Sequence, residues 1–147
     1  YLDRYITLKP ENHLAIFLKS DIYRKLGRLE LATIECRKVV NLQPNYVPAL
    51  SNLGQFLSDQ GFYEEALSYL RKALSFTNTA DILNNIGVTY ERMGKYEDAL
   101  KTFIEALKLS PKSRDYLINC AIVFKRRENS LVGYVTVVLY TFDFEMT

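Results

Sequence analysis

Residues 82–100, "ILNNIGVTYERMGKYEDAL", contain the pattern that decides the fold of this chain. Apolar or small residues in the first part of this stretch recur at i, i+3, i+4 and i+7, the spacing of one helix face: Leu83, Ile86, Gly87 and Tyr90. Gly94 follows, and "YEDAL" then begins a second helical pattern. Because glycine readily adopts the left-handed conformation that ends a helix, the stretch predicts two helices joined by a tight turn.

The same two-helix unit occurs three times. The turn and the start of the second helix read "GRLELA" at 27–32, "GFYEEA" at 61–66 and "GKYEDA" at 94–99, starting 34 and then 33 residues apart. "LKP", "LQP" and "LSP" close second helices at Pro10, Pro44 and Pro111, whereas the second repeat ends in "FTNTAD" without proline. Proline cannot continue a helix. Self-similarity with such a period is the signature of a repeat protein.

Small residues recur where the two helices of each unit would meet. They are Ser20, Gly54, Gly87 and Ala121 on the first helices and Ala32, Ala66 and Ala99 on the second helices. Small side chains on both helices let the backbones approach closely, so we predict antiparallel helix pairs. The predicted helices span residues 14–26, 29–42, 47–60, 63–76, 80–93, 96–109 and 114–127.

At these residues the chain resembles the tetratricopeptide repeat (TPR) family, from residue 1 to about residue 128. The resemblance implies an all-α fold in which three complete helix pairs and partial terminal units stack into a right-handed superhelix, as one domain. The implied units are the end of a preceding repeat (1–12, with residues 1–8 closing a second helix), three complete repeats (13–46, 47–79 and 80–113), the first helix of a fourth (114–128) and a divergent, apolar tail (129–147).

Composition and isolated reactive residues argue against several functional classes. The net charge of +2 gives no electrostatic footprint for nucleic acid. The longest apolar stretch, residues 131–142, is too short for a membrane span, which needs about 20 residues. His13 is the only histidine, and Cys36 and Cys120 lie far apart. The sequence therefore predicts no metal site, no cofactor and no catalytic group.

Asparagines form a column on the predicted first helices. Asn52, Asn85 and Asn119 each lie two residues before the small position, whereas the first repeat has Leu18 there. A carboxamide can bond both the N–H and the C=O of an extended peptide without reading its side chains. The column resembles the asparagine ladder of the nucleocytoplasmic N-acetylglucosamine transferase, where, as the resemblance implies, equivalent residues hold the substrate backbone.

Other residues of the first helices would share this groove. They are Phe17, Asp21, Gln55, Asn84, Val88 and Ile122. The competing interpretation is that these side chains, and the asparagines themselves, form ordinary solvent-facing surface, since asparagine is common on exposed helix faces.

The tail after Arg127 contains no Lys or Arg and is dense in β-branched and aromatic residues. Three interpretations compete: a degenerate second helix that closes the array, an extended strand that pairs with another chain, and an expression scar or the start of a further domain. We favour the closing helix, with apolar surface left for a partner or a second copy.

We predict a non-catalytic scaffold or protein–protein interaction module whose groove binds an extended peptide or partner segment. One alternative is a scaffold that self-assembles through its open ends and apolar tail. Another is a targeting segment of a larger enzyme such as a glycosyltransferase. The chain begins without Met in mid-pattern, so we expect a piece of a longer protein, and the lack of a signal peptide favours a cytoplasmic location.

Overall fold

The computed structural model describes residues 12–128, which form seven α-helices. Their bounds are α1 His13–Lys25, α2 Leu29–Leu42, α3 Val47–Asp59, α4 Tyr63–Phe76, α5 Ala80–Arg92, α6 Tyr96–Leu109 and α7 Arg114–Glu128. The all-α prediction is confirmed, and each predicted helix end lies within one residue of the observed end. The predictions for residues 1–8 and for the tail at 129–147 lie outside the described residues.

Local sequence explains where the helices begin and turn. The Asn12 side chain accepts hydrogen bonds from the backbone N–H groups of Leu14 (3.1 Å) and Ala15 (3.2 Å), which caps α1. The three turns within helix pairs each contain a glycine with positive φ, at Gly27 (71°), Gly61 (87°) and Gly94 (75°). This left-handed conformation reverses the chain without the steric penalty of a Cβ.

The first compact unit extends to Thr77 and contains α1 to α4. Each helix packs against the next in sequence. The Ser20 hydroxyl donates a hydrogen bond of 2.9 Å to the Ala32 carbonyl, which joins α1 to α2. The Cys36 thiol donates one of 3.2 Å to the Ala49 carbonyl, which joins α2 to α3. Ser20 and Ala32, two of the predicted small residues, thus lie at a helix contact.

The second compact unit begins at Asn78 and contains α5 to α7. Its core is formed by Ala99, Leu100 and Phe103 on α6 together with Cys120 and Val123 on α7. Val88 and Tyr90 on α5 pack against this cluster and are only partly buried.

Large side chains on the second helices cover the helical glycines. A Cβ built on Gly54 would lie 2.5 Å from Cγ of Leu70 and 3.1 Å from the Ala66 carbonyl oxygen. On Gly87 the three atoms nearest to it would all belong to the ring of Phe103. Phe103 lies one turn after Ala99 on α6, and its ring fills the space over the glycine.

Candidate peptide-binding surface

Polar side chains on α5 meet polar side chains on α7 within the second unit. Three pairs, each separated by 35 residues, join the helices: Asp81 with Tyr116, Asn84 with Asn119, and Glu91 with Arg126. The hydrogen bond from Tyr116 to Asp81 is 2.6 Å long, and the one from Asn119 to Asn84 is 2.7 Å long. Because the offset is constant, one face of α5 meets one face of α7 in a single register.

The Asn84–Asn119 hydrogen bond leaves polar groups on both amides. A carboxamide carries two N–H donors and one carbonyl acceptor. The bond between them uses one N–H of Asn119 and one lone pair of the Asn84 oxygen. The N–H groups of Asn84 and the carbonyl oxygen of Asn119 are then a donor and an acceptor for the C=O and N–H of one residue in an extended segment, which point to the same side of the chain. Both side chains are half-buried, so the surface holds them in place.

Aliphatic side chains flank this pair of amides. Ile118 and Ile122 on α7 are 55% and 40% exposed, and their four-residue spacing puts them on one face of the helix. Asn119 lies three residues before Ile122, so the amide and the aliphatic side chains are neighbours on α7. The surface combines a few fixed polar groups with apolar area, as binding sites commonly do.

The Tyr116 phenol is protonated at neutral pH. Burial, together with the hydrogen bond to Asp81 and the negative charge of Asp81 and Asp115, raises the pKa of Tyr116 to about 12. The hydroxyl therefore remains a donor to Asp81 across the physiological range and joins the start of α7 to the start of α5.

The predicted asparagine column has one member, Asn52, in the first unit and two, Asn85 and Asn119, in the second. Asn119 donates a hydrogen bond to Asn84, the residue beside Asn85 on α5. Asn85 is half-buried, and its backbone carbonyl accepts a hydrogen bond of 2.8 Å from the Thr89 hydroxyl. In the first unit Asn52 is half-buried on α3, and Gln55 is exposed one turn later.

The predicted groove residues of α1 make contacts within the first unit. The ring of Phe17 lies edge-on to Tyr46, with the ring centroids 5.4 Å apart. Asp21 forms ion pairs with Arg24 (2.7 Å) and Lys25 (2.9 Å) on its own helix. Hydrogen bonds from Lys25 and Arg24 lower the pKa of Asp21, which is thus ionised and neutralised locally. Val88 and Ile122, the remaining predicted positions, lie on α5 and α7 of the second unit.

A cleft of about 450 Å³ lies elsewhere in the first unit, between α2 and the turn from α3 to α4. Ile34 and Phe62 contribute exposed apolar surface to it. On its wall Arg37 pairs with Glu65 at 2.6 Å. Sequence periodicity did not indicate this cleft, because its walls come from helices of two different repeats.

Residues 12–128 were searched for metal-binding clusters and for helices long and apolar enough to span a membrane. No group of three or more His, Cys, Asp or Glu between residues 12 and 128 is placed to hold a metal ion. His13 instead lies edge-on to Tyr46, with the centroids 5.4 Å apart. Over the same range, none of the helices combines the length and hydrophobicity that crossing a membrane requires.

Two family models, both described as tetratricopeptide repeat, match residues 14–46 and 45–112. The chain belongs to the TPR family. A solved structure of MamA from Desulfovibrio magneticus has the same fold, with a TM-score of 0.87 at 18% identity over 99% of this chain and 82% of that one. This similarity concerns the helix-pair architecture alone and does not identify a ligand.

Curated relatives of the TPR chain are much longer than it is. A TPR repeat-containing protein of Methanocaldococcus jannaschii is 27% identical over 84% of this chain and 24% of its own length. A human protein O-mannosyl-transferase, TMTC3, is 29% identical over 83% of this chain and 14% of its own length. TPR domains typically mediate protein–protein interactions and are generally non-catalytic by themselves, although some, as in the transferase, are parts of enzymes.

Proposed function

We propose that this chain is a protein-interaction module in which the surface of α5 and α7 holds the backbone of an extended partner segment. The observation that carries the proposal is the Asn84–Asn119 pair, whose remaining donor and acceptor groups suit the C=O and N–H of one residue in an extended segment. Membership of the TPR family supports a protein partner. It does not choose among partner sequences.

The partner segment would lie with its backbone on the two amides and an apolar side chain against Ile118 and Ile122. The exposure of these isoleucines gives the partner side chain apolar area to cover. Recognition of backbone groups would make the surface tolerant of sequence, with selectivity coming from the aliphatic flank.

The test starts from peptides of random sequence displayed on phage and selected on the immobilised chain. The affinity of an enriched peptide is then measured by calorimetry for the parent chain and for Asn84→Ala combined with Asn119→Ala. Two lost hydrogen bonds, at about 1 kcal/mol each, would weaken binding by about tenfold or more.

A matched control is Asn41→Ala, which removes an exposed asparagine from α2 and should leave the affinity unchanged. N-methylation of single peptide amides adds a second readout, because one position should abolish binding if a backbone N–H is held. Equal affinity of the double variant and the parent would refute the proposal. Asn52→Ala and Asn85→Ala, measured separately, test the other two members of the predicted column.

A further inference from the structure

The cleft beside α2 in the first unit has two large apolar side chains on its walls. Ile34 on α2 is 51% exposed, and Phe62, just before α4, is 57% exposed. The cleft lies between two complete repeats. The equivalent residues of the other repeats are polar or charged. They are Ser68 and Lys101 at the position of Ile34, and Arg28 and Lys95 at the position of Phe62. The repeat fold therefore does not require apolar residues here.

Buried and hydrogen-bonded groups hold another part of the cleft wall in place. Leu57 is only 2% exposed. The Gln60 amide donates hydrogen bonds of 2.6 Å to the Thr33 hydroxyl and of 3.0 Å to the Phe56 carbonyl. Within residues 12–128 no donor bonds the side-chain carbonyl oxygen of Gln60. This oxygen is therefore a fixed acceptor for a ligand.

The charged residues of the cleft wall leave one carboxylate without a partner. Arg37 pairs with Glu65 at 2.6 Å, and Lys38 pairs at 2.9 Å with Glu35, which does not line the cleft. Both cations are thus neutralised by their own partners. Glu30, the remaining charged residue of the wall, has no ion-pair partner within residues 12–128. A positively charged occupant is therefore complementary to the cleft.

We propose that this cleft binds an arginine or lysine side chain of a partner protein. These side chains combine an apolar stem with a charged head group. The stem covers Ile34 and Phe62, while the head group pairs with Glu30 and donates to the Gln60 carbonyl oxygen. Arginine suits the site best, because a guanidinium also packs on an aromatic ring. The cleft volume of about 450 Å³ falls within the range of about 300–1,000 Å³ of ligand pockets.

The chain's own Arg37 shows this kind of recognition beside the cleft. Its guanidinium pairs with Glu65 at 2.6 Å and lies 6.0 Å from the centroid of the Tyr69 ring. An arginine held by a carboxylate and an aromatic ring is thus already part of this surface. A partner's arginine finds the same two kinds of group in Glu30 and Phe62.

Nuclear magnetic resonance of the isotope-labelled chain tests the inference, with N-acetyl-arginine amide as the probe. Its capped ends make it resemble an arginine residue within a protein. We expect saturable shifts of backbone amides on α2 and in the turn from α3 to α4. N-acetyl-citrulline amide is the matched neutral probe, with nearly the same shape and no charge. It should bind about two- to fivefold more weakly, the difference typical of an exposed ion pair.

Substitutions assign the binding to the cleft. Ile34→Ser combined with Phe62→Lys installs residue types that the other repeats carry, so the fold should be kept while the shifts disappear. Glu30→Gln should weaken binding of the arginine derivative by about two- to fivefold and leave that of the citrulline derivative unchanged. Phe76→Lys adds the same charge at a phenylalanine that is 49% exposed on α4, outside the cleft. It is the matched control and should bind as the parent does.

Three results would overturn the proposal. The first is equal binding of the two derivatives, or shifts that lie away from the cleft. The second is binding that appears only after removal of residues 130–147, which would assign the cleft to the chain's own tail. The third is a parent mass of twice 17.1 kDa that falls to one chain in the Ile34→Ser, Phe62→Lys variant, which would assign it to a second copy.

The cleft is tested separately from the surface of α5 and α7. Asn84→Ala combined with Asn119→Ala should bind the arginine derivative as the parent does, because both residues lie in the second unit and the cleft lies in the first. Loss of binding in this variant would contradict a site formed by the first unit alone.

Discussion

A Cβ built on Gly87 would lie 2.5 Å from Cε1 of Phe103, so α5 and α6 touch where only a hydrogen atom fits. Phe103 is 1% exposed and belongs to the core of the second unit. In the first unit, Gly54 has the same relationship with Leu70. The small column is therefore a steric requirement of helix pairing in each unit.

Gly87→Ala should lower the free energy of unfolding by up to about 2 kcal/mol. The clash with a buried ring costs about 1–3 kcal/mol, which outweighs the gain in helix propensity of about 1 kcal/mol. Urea denaturation followed by circular dichroism measures the difference. Adding Phe103→Leu to Gly87→Ala should cost less than Phe103→Leu alone, because the smaller side chain relieves the clash. Undiminished stability of Gly87→Ala would show that the ring can shift.

Gly94→Ala should also destabilise the chain, but through the backbone alone. Nothing lies within 4 Å of a Cβ at this position, and its φ of 75° is unfavourable for alanine by about 1 kcal/mol. Gly94→Asn should lose less, since asparagine tolerates the left-handed conformation. Thermal denaturation of the two variants and the parent gives the order directly. Equal losses for Ala and Asn would assign the cost to something other than φ.

Both thiols should be unreactive in the folded chain at pH 8. Burial raises the pKa of Cys36 to about 12 and that of Cys120 to about 11, and the thiolate is the reactive form. A chromogenic aromatic disulfide should therefore label neither cysteine in buffer and both in denaturant. Rapid labelling without denaturant would contradict the burial of these side chains.

The same shifts predict a loss of stability at alkaline pH. Below the ordinary thiol pKa of 9.0 both states are protonated, so these groups leave the free energy of unfolding unchanged. Between pH 9 and about 12 the unfolded chain releases its thiol protons first, which favours unfolding. Replacing both cysteines by alanine should flatten this part of the curve of urea midpoint against pH. Tyr116 contributes in the same direction, from 10.0 to about 12.

Sequence periodicity predicted the helices well because each repeat supplies its own evidence. The turn glycines and the proline stops act through local backbone preferences, and the apolar spacing follows the periodicity of a helix. All three can therefore be recognised before the fold is known. The closeness of Gly54 to Ala66 followed from residue size alone. Residue size did not predict which larger side chain covers each glycine. Leu70 and Phe103 have different shapes, yet they occupy equivalent space over Gly54 and Gly87.

The pairing of Asn84 with Asn119 was beyond a comparison of equivalent positions. Equivalent residues on successive first helices point in the same direction, so they cannot touch each other. A contact between two first helices must join a residue on the facing side of one helix to a residue at a different repeat position on the other. The sequence separation of the two residues therefore differs from the repeat period. The signal that could have found it is complementary chemistry at a constant spacing of 35 residues, as Asp81 with Tyr116 and Glu91 with Arg126 show.

The distribution of the two cysteines provides a natural pair of reporters. Cys36 belongs to the first unit and Cys120 to the second, and the chain has no other cysteine. Mass spectrometry of partially labelled protein can thus time the opening of each half within one sample, without engineered probes. If a candidate partner slows the labelling of only one of the two cysteines, that partner binds the unit that contains this cysteine.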